Sequence, residues 1–376
     1  MAVTPDRPVP ALVFLPPDGT TKAERWMSAA RRGCAADLLE RLRQAGFGPL
    51  HLVAADPSGA DDLAAPDVER LREDESPFHF GRALVRIIES RGFDSLAYFG
   101  GASAPLASTD DLRGWLGRAQ QLPSGGALVN NLHSTDWAIL GDARRLLEFA
   151  ERLPTDNPLG WVLREEVGVV VETPPASAAA RTDIDTPGDL ALVRGHPALG
   201  PRLRSAVEKL PDELARRAEA LARVVETPAQ SVALVGRVSE MAWRDLVQRS
   251  QVWVRVFAEE RGMRASGRLA RGEARSLVAQ MVEERGPAAF VAALGDLVGG
   301  VFWDTRVWMA HRGPWPGIAD RMAADLGWTE EIADPGLRAL TEAVVAEAVP
   351  IVTGGQGVVA GSLRAFLEVS GTAKRP

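Results

Sequence analysis

The segment of residues 181–193, RTDIDTPGDLALV, carries the most specific arrangement of groups that could do chemistry. Asp183 and Asp185 are two residues apart, so in an extended chain both side chains project to the same side. Thr186 followed by Pro187 predicts the start of a helix, with Thr186 as its N-cap. A carboxylate pair beside a helix N-terminus can hold a hard cation that bridges to phosphates. The alternative interpretation is a strand-to-helix turn with capping acids.

Residues 130–136 (NNLHSTD) bring amide, imidazole, hydroxyl and carboxylate groups together after a predicted strand. This concentration at the carboxyl end of a strand suits a polar ligand or a metal ion, and His133 and Asp136 could share one site. The alternative is a capped turn in which Ser134 or Thr135 begins a helix over residues 136–150.

Two further turns are candidate ligand contacts. Residues 100–105 (GGASAP) follow a strand, and their small side chains would let the backbone approach a base or a ribose. A tight strand-to-helix connection explains the same residues equally well. His79 and Arg82 could contact a substrate, although the phenylalanines around His79 favour a hydrophobic staple at a helix start.

An arginine-rich stretch covers residues 237–275, with nine arginines, five acids and a net charge of +4. Arginine forks suit phosphate or carboxylate ligands, and the alternative is a set of ion pairs with Glu259 and Glu260. No interleaved aromatic stacking pattern and no known binding motif accompany this charge, so the stretch does not favour nucleic acid. Further along, glycines in residues 354–361 predict a tight strand-to-helix turn that could also hold an anion.

The elements that must position these residues alternate in the first half of the chain. Apolar runs predict strands and amphipathic segments predict helices, an alternation typical of an α/β fold with a mainly parallel sheet covered by helices on both faces. The predicted strands are residues 11–15, 50–54, 95–99, 126–130 and 167–172. Ligands of such sheets bind beyond the carboxyl ends of the strands.

The second half shows mostly helical periodicity, with strand-like runs only at residues 232–235 and 351–353. One long helix is predicted over residues 239–261. Two prolines and a glycine in residues 196–201 break the periodicity. We therefore predict an α/β domain over residues 1–197 and a mostly helical domain over residues 202–376.

Composition limits the class of protein. The chain of 376 residues is 46% hydrophobic and 25% charged, which is ordinary for a globular protein. Its net charge of −7 argues against a general polyanion-binding surface and leaves a local basic patch open. Cys34 is the single cysteine, so neither an intrachain disulfide nor a cysteine-based zinc site can form. No apolar run approaches the roughly 18 residues of a membrane span, and no signal peptide is recognisable, so we expect a cytoplasmic protein without membrane contact.

The motifs of residues 8–195 resemble those of the GT-A-type nucleotidyltransferase superfamily. The resemblance is to molybdenum-cofactor guanylyltransferase-like and 2-phospho-L-lactate guanylyltransferase-like proteins. DIDTPGDL resembles the closing motif of that fold, and residues 98–106 (YFGGASAPL) resemble its strand and turn of the form GDxPL. Residues 130–136 occupy the place of the segment that lines the acceptor, and residues 156–161 (DNPLGW) resemble the loop before the last strand.

The resemblance implies a transferase that moves a nucleotidyl group from a nucleoside triphosphate to a small phosphorylated or carboxylated acceptor. It implies a divalent cation, Mg²⁺ or Mn²⁺, held by Asp183 and Asp185, with Asp136 as a further catalytic residue. The implied nucleotide and substrate contacts are Lys22, Arg25, Gly100, Gly101, Ser103, Asn130, Asn131 and His133.

Two departures from the family pattern leave other functions open. The family's glycine-rich phosphate loop corresponds here to residues 14–25, where Pro16 and Pro17 remove N–H donors. The family's first metal-binding aspartate falls at Ala102 or Ser103, and neither can replace a carboxylate. A catalytically degenerate protein that binds a nucleotide, a sugar nucleotide or a partner is therefore one alternative, and a glycosyltransferase on the same fold is another.

Overall fold

The computed structural model describes residues 8–56, 65–73, 75–123, 125–264 and 266–370. The described chain forms two compact units. The first unit contains the described residues of 1–17, 31–181 and 200–203, and the second unit contains those of 18–30, 182–199 and 204–376. The domain boundary predicted between residues 197 and 202 stays a prediction.

The first unit is built on a seven-stranded sheet in the order β3-β2-β1-β4-β6-β5-β7. The strands are β1 (Ala11–Leu15), β2 (Leu50–Ala54), β3 (Val68–Arg72), β4 (Leu96–Gly100), β5 (Ala127–Val129), β6 (Trp137–Leu140) and β7 (Val171–Glu172). Strand β6 runs antiparallel to both of its neighbours, and the other pairs are parallel. The predicted α/β class with a mainly parallel sheet is confirmed.

Apolar side chains cover both faces of this sheet. Neighbouring residues of one strand, such as Leu12 and Val13 or Tyr98 and Phe99, belong to two different buried clusters because side chains alternate along a strand. The helices that accompany the sheet are α1 (Lys22–Ala45), α2 (Phe80–Arg91), α3 (Thr109–Gln120), α4 (Leu159–Glu165) and α5 (Ala178–Arg181), with a 3-10 helix over Ala143–Arg152. The first residues of α1 are grouped with the second unit.

The prediction of a helix over residues 136–150 is wrong. Strand β6 occupies Trp137–Leu140, where all four residues are buried, and the 3-10 helix follows it. The run WAIL pairs with β4 on one side and β5 on the other, and such pairing with distant segments cannot be deduced from local periodicity. Strand β3 lies between β2 and α2, where the sequence analysis predicts no strand, and residues 57–64 and 74 of that segment are outside the described residues.

The second unit contains a four-stranded parallel sheet in the order β11-β10-β8-β9. Its strands are β8 (Ser231–Gly236), β9 (Trp253–Ala258), β10 (Gly300–Asp304) and β11 (Ile351–Gly354). Its helices are α6 (Pro187–Val193), α7 (Pro201–Val207), α8 (Asp212–Glu226), α9 (Glu240–Arg249), α10 (Leu277–Arg285), α11 (Pro287–Gly295), α12 (Arg306–His311), α13 (Ile318–Leu326), α14 (Pro335–Ala346) and α15 (Gly361–Ser370), and the first residues of α7 are grouped with the first unit.

Helices dominate the second unit, as predicted, and the two predicted strands are present as β8 and β11. The helix predicted over residues 239–261 ends at Arg249, and its second part is strand β9 instead. The sequence WVRVFA is rich in β-branched and aromatic residues, and pairing with β8 decides its conformation. Strand β10 was not predicted, and it is buried along its whole length between two neighbours. Among the described residues, no helix has both the length and the apolar character needed to cross a membrane.

Candidate functional site

The DIDTPGDL motif begins helix α6, in the second unit. Thr186 is its N-cap and Pro187 its first residue, as predicted, and Thr186 and Asp189 form a capping box. One carboxylate oxygen of Asp189, Oδ2, accepts hydrogen bonds from the backbone N–H of Thr186 at 2.8 Å and from its hydroxyl at 2.7 Å. The other oxygen accepts from the hydroxyl of Ser362 at 2.8 Å. This aspartate therefore joins the start of α6 to the start of α15.

Asp189 is completely buried. Burial, with a further contribution from the negative charge of Asp185, raises the pKa of Asp189 to about 7. The hydrogen bonds from Thr186 and Ser362 oppose this increase. The carboxyl group thus changes its protonation state near neutral pH, in a position where it holds secondary structure together.

The glycines of the motif and of the 354–361 turn pack against one another. A Cβ atom on Gly188 would lie 2.2 Å from the carbonyl oxygen of Thr353, and a Cβ atom on Gly357 would lie 2.1 Å from Oδ1 of Asp189. Both distances are far below van der Waals contact, so the residues must be glycine to allow α6 to approach the turn. Close packing explains this glycine-rich turn without a bound anion.

Substitution of Gly188 by Ala is expected to lower the free energy of unfolding by about 1–3 kcal/mol, the usual range for overpacking a core. The reason is the backbone carbonyl of Thr353, which cannot move away as the end of a flexible side chain could. Urea unfolding of the variant measures the loss. Gly114→Ala in α3, where a Cβ atom would meet nothing within 4 Å, is the control and should not lose stability. Equal stabilities of Gly188→Ala and the wild type would contradict the close packing.

Asp183 and Asp185 lie on either side of Ile184, which is fully buried. Asp183 is half-buried and Asp185 is exposed, and both have interaction partners within the protein. Within the residues that the structure describes, no three side chains of the types His, Cys, Asp and Glu are grouped so that they could hold a metal ion. The role of the two aspartates as ligands of a cation stays a prediction.

Lys22 and Arg25 lie at the start of α1, in the part grouped with the second unit. The ammonium group of Lys22 is 4.1 Å from the centre of the Trp328 ring and 3.4 Å from Oε1 of Glu331. The guanidinium of Arg25 donates a hydrogen bond to the carbonyl oxygen of Thr20. Both side chains have local partners, and their predicted contact with a triphosphate stays a prediction.

In the first unit, the turn after β4 is held by backbone contacts. The N–H of Gly101 donates to the carbonyl oxygen of Phe14 at 2.7 Å, and a Cβ atom on Gly101 would lie 2.9 Å from the same oxygen. The N–H of Gly100 donates to the carbonyl oxygen of Asp136 at 2.9 Å. Ser103 is buried, and its hydroxyl donates to the carbonyl oxygen of Gly100 at 2.8 Å. These three predicted contact residues form one compact turn at the carboxyl ends of β1 and β4.

The polar segment 130–136 lies beside this turn. The side-chain amide of Asn130 donates to Oδ2 of Asp136 at 2.6 Å, and its oxygen accepts from the backbone N–H of Asp136 at 2.8 Å. The structure therefore brings Asn130, Asp136 and the Gly100 turn together. His133 is exposed and Asn131 is half-buried, with the side-chain oxygen of Asn131 accepting from the N–H of His133 at 3.2 Å.

Aromatic residues and Asp156 complete this part of the first unit, and the sequence did not identify them as contact residues. The hydroxyl of Tyr98 donates to Oδ2 of Asp156 at 2.6 Å. The Phe14 ring centre lies 5.5 Å from that of Tyr98 and 6.4 Å from that of Phe78, whose side chain is 53% exposed. The only signal in the sequence was the position of Phe14 and Tyr98 close to the ends of their strands.

The two residues proposed at the start of α2 have structural partners. Nδ1 of His79 accepts from the backbone N–H of Arg82 at 3.4 Å and so caps the helix. The guanidinium of Arg82 forms two hydrogen bonds with the carboxylate of Glu151, at 2.7 and 2.8 Å. A contact of these side chains with substrate stays a prediction.

Comparison with known proteins gives matches at the level of structure. No protein-family model matches the sequence, and no curated protein matches it. A cytidylyltransferase from Leptospira borgpetersenii serovar Hardjo-bovis is 14% identical, with a TM-score of 0.35, and the match covers 48% of this chain and 79% of that one. A CMP:2-keto-3-deoxy-manno-octonic acid synthetase solved with CTP is 14% identical, with a TM-score of 0.33, over 48% of this chain and 95% of that one. Similarity at this level defines neither a reaction nor a substrate.

Proposed function

We propose that the first unit is a nucleotidyltransferase-like unit that binds a nucleotide or a sugar nucleotide at the carboxyl ends of β1 and β4. The observation that carries the proposal is the strand order. The chain passes from β1 to β2 and β3 on one side, whereas β4 lies on the other side of β1. In open α/β sheets, a ligand binds in the crevice where the strand order reverses in this way.

The side chains at this position suit the nucleoside part of such a ligand. The carboxylates of Asp156 and Asp136 have oxygens that can accept hydrogen bonds from ribose hydroxyls or from an amino group of a base. Phe14 and the exposed Phe78 offer aromatic surface on which a base could stack. Gly100 at the same place is only partly buried and has no side chain, so a ligand can approach its backbone closely.

Transfer chemistry is a separate question within this proposal. As a nucleotidyltransferase, the protein would have an acceptor oxyanion attack the α-phosphorus of a nucleoside triphosphate, and pyrophosphate would leave. Transfer would also need a divalent cation, and the ligands that the sequence predicts for it are Asp183 and Asp185. If a nucleotide binds without a divalent cation and no pyrophosphate is released, the protein is the catalytically degenerate nucleotide-binding alternative. Hydrolysis of a sugar nucleotide would instead identify a glycosyltransferase.

Asp156→Asn and Tyr98→Phe are each expected to weaken binding of the preferred nucleotide by about tenfold or more. The first removes the negative charge that strengthens hydrogen bonds to this acceptor, and the second removes the hydroxyl that holds the Asp156 carboxylate in place. The ligand is first identified by thermal-shift measurements with nucleoside triphosphates and sugar nucleotides, with and without Mg²⁺ or Mn²⁺. Titration calorimetry then gives the dissociation constants of the variants.

Asp142→Asn is the matched control. Asp142 follows β6, whose last residue Leu140 pairs with the first residue of β4, so it lies at the opposite edge of the sheet. This variant should bind as the wild type does. The proposal is contradicted if no nucleotide or sugar nucleotide stabilises the folded wild type, or if both Asp156→Asn and Tyr98→Phe bind with unchanged affinity.

A further inference from the structure

The second unit has its own reversal of strand order. Strands β8 and β10 are neighbours, β9 lies beyond β8, and β11 lies beyond β10. The carboxyl ends of β8 and β10 therefore border the kind of crevice where ligands of parallel sheets bind. Residues at this edge include Arg237 directly after β8, Asp304 at the end of β10, and Arg306 at the start of α12.

Two buried ion pairs lie at this edge of the sheet. The guanidinium of Arg237 contacts both oxygens of Asp304, at 2.5 and 3.1 Å, and the Asp304 side chain is fully buried. Arg306 pairs with Asp325, with an Nη1–Oδ1 distance of 3.1 Å, and both side chains are almost inaccessible to solvent. These two carboxylates are therefore fully occupied by two of the arginines.

Three more arginines carry charges that interact with these ion pairs or with one another. The guanidiniums of Arg264 and Arg321 lie 5.7 and 5.1 Å from the centre of the same Trp315 ring. Arg261 follows β9 at the same edge, where the N–H of Glu259 donates to the carbonyl oxygen of Gly236 at 2.7 Å. Within the described residues, neither Arg261 nor Arg321 forms an ion pair. We call Arg237, Arg261, Arg264, Arg306 and Arg321 the arginine cluster.

The positive charges of the cluster act on one another. Burial and the charges of Arg306 and Arg264 lower the pKa of Arg321 to about 10. Desolvation and the charge of Arg237 lower the pKa of Arg261. The acids Asp325 and Asp185 act on the pKa of Arg321 in the opposite direction. Repulsion between cations is a cost to the folded state, and an anion in the crevice would remove it.

We propose that the arginine cluster binds the phosphate group of a small molecule at the carboxyl ends of β8 and β10. Arg261 and Arg321 would supply the contacts, because guanidinium groups donate paired hydrogen bonds that match phosphate oxygens. Arg237 and Arg306 would hold the crevice in shape through their ion pairs with Asp304 and Asp325. This site belongs to the second unit and is independent of the nucleotide site proposed in the first.

Calorimetric titration with inorganic phosphate, pyrophosphate and a nucleoside monophosphate tests the proposal. Preference for phosphate or pyrophosphate would indicate a free anion, and preference for the monophosphate would indicate a phosphate ester. Arg261→Gln and Arg321→Gln should each weaken the preferred probe by about tenfold or more. Melting temperatures without ligand establish that each variant is folded, and if Arg321→Gln does not fold, Arg261→Gln decides the result.

Arg223→Gln is the matched control. Arg223 is exposed in the last turn of α8, which leads into the amino end of β8 at the opposite edge of the sheet. This variant should keep the wild-type affinity. The proposal is overturned if the wild type binds none of the three probes, if the folded cluster variants bind as tightly as the wild type, or if Arg223→Gln weakens binding equally.

Discussion

Replacement of Asp325 by Asn is expected to lower the free energy of unfolding by about 3–5 kcal/mol, one of the largest losses for a single substitution in this chain. The Arg306 side chain is only 6% exposed and Asp325 is completely buried, so the variant leaves an uncompensated positive charge inside the second unit. Urea unfolding of the two proteins at the same pH measures the difference.

Two further variants separate the loss of the pair from a general effect of substitution. Asp296→Asn, at an exposed position after α11, should change stability by no more than about 0.5 kcal/mol. The double variant Arg306→Met with Asp325→Leu should recover most of the loss, because apolar residues of similar volume need no partner. A loss below about 1 kcal/mol in Asp325→Asn would mean that water or a movement of Arg306 compensates for the missing charge.

The second large expected effect is a pH dependence of stability that comes from Asp189. Its folded-state pKa of about 7 lies above the ordinary value of 3.8, so between these pH values the folded chain keeps a proton that the unfolded chain has lost. The stability from this group is therefore full below about pH 4 and is lost as the pH rises to about 7. Between pH 5 and pH 8 the loss is on the order of 2.5 kcal/mol.

Urea unfolding of the wild type and of Asp189→Asn at pH 5 and pH 8 isolates this contribution. The amide cannot titrate, so the variant should lose less stability than the wild type over this interval. Asp185→Asn removes a charge that raises the pKa of Asp189, and it should move the transition to lower pH. Parallel pH profiles of the wild type and Asp189→Asn would show that Asp189 titrates far from neutral pH.

These two results would also bear on how the DIDTPGDL motif is understood. Thr186, Gly188 and Asp189 have structural explanations in the capping box and in the packing against the 354–361 turn. Asp183 and Asp185 remain the residues of the motif that could serve a ligand. Metal-dependent nucleotide binding that disappears in Asp183→Ala would therefore identify Asp183 as a functional residue of the motif.

The sequence by itself determined those elements that a pattern of a few neighbouring residues is enough to predict. The apolar runs of β1 and β2 and the start of α6, with Thr186 as its N-cap and Pro187 as its first residue, were predicted at the positions where the structure has them. In each case the signal lies within a few residues, as an uninterrupted apolar run or as a Thr-Pro pair that ends an extended segment and begins a helix. The parallel α/β class of the first half followed from the order of such elements.

Only the tertiary structure decided β6, β9 and the arrangement of the candidate sites. Strands β6 and β9 become strands through pairing with segments that are distant in the chain, so their own periodicity was misleading. Asp156 comes within hydrogen-bond distance of Tyr98, and Arg321 reaches the same indole ring as Arg264, across separations of more than fifty residues. The sequence states which side chains are present. Which of them come into contact depends on strand order and packing, and local sequence patterns do not determine either.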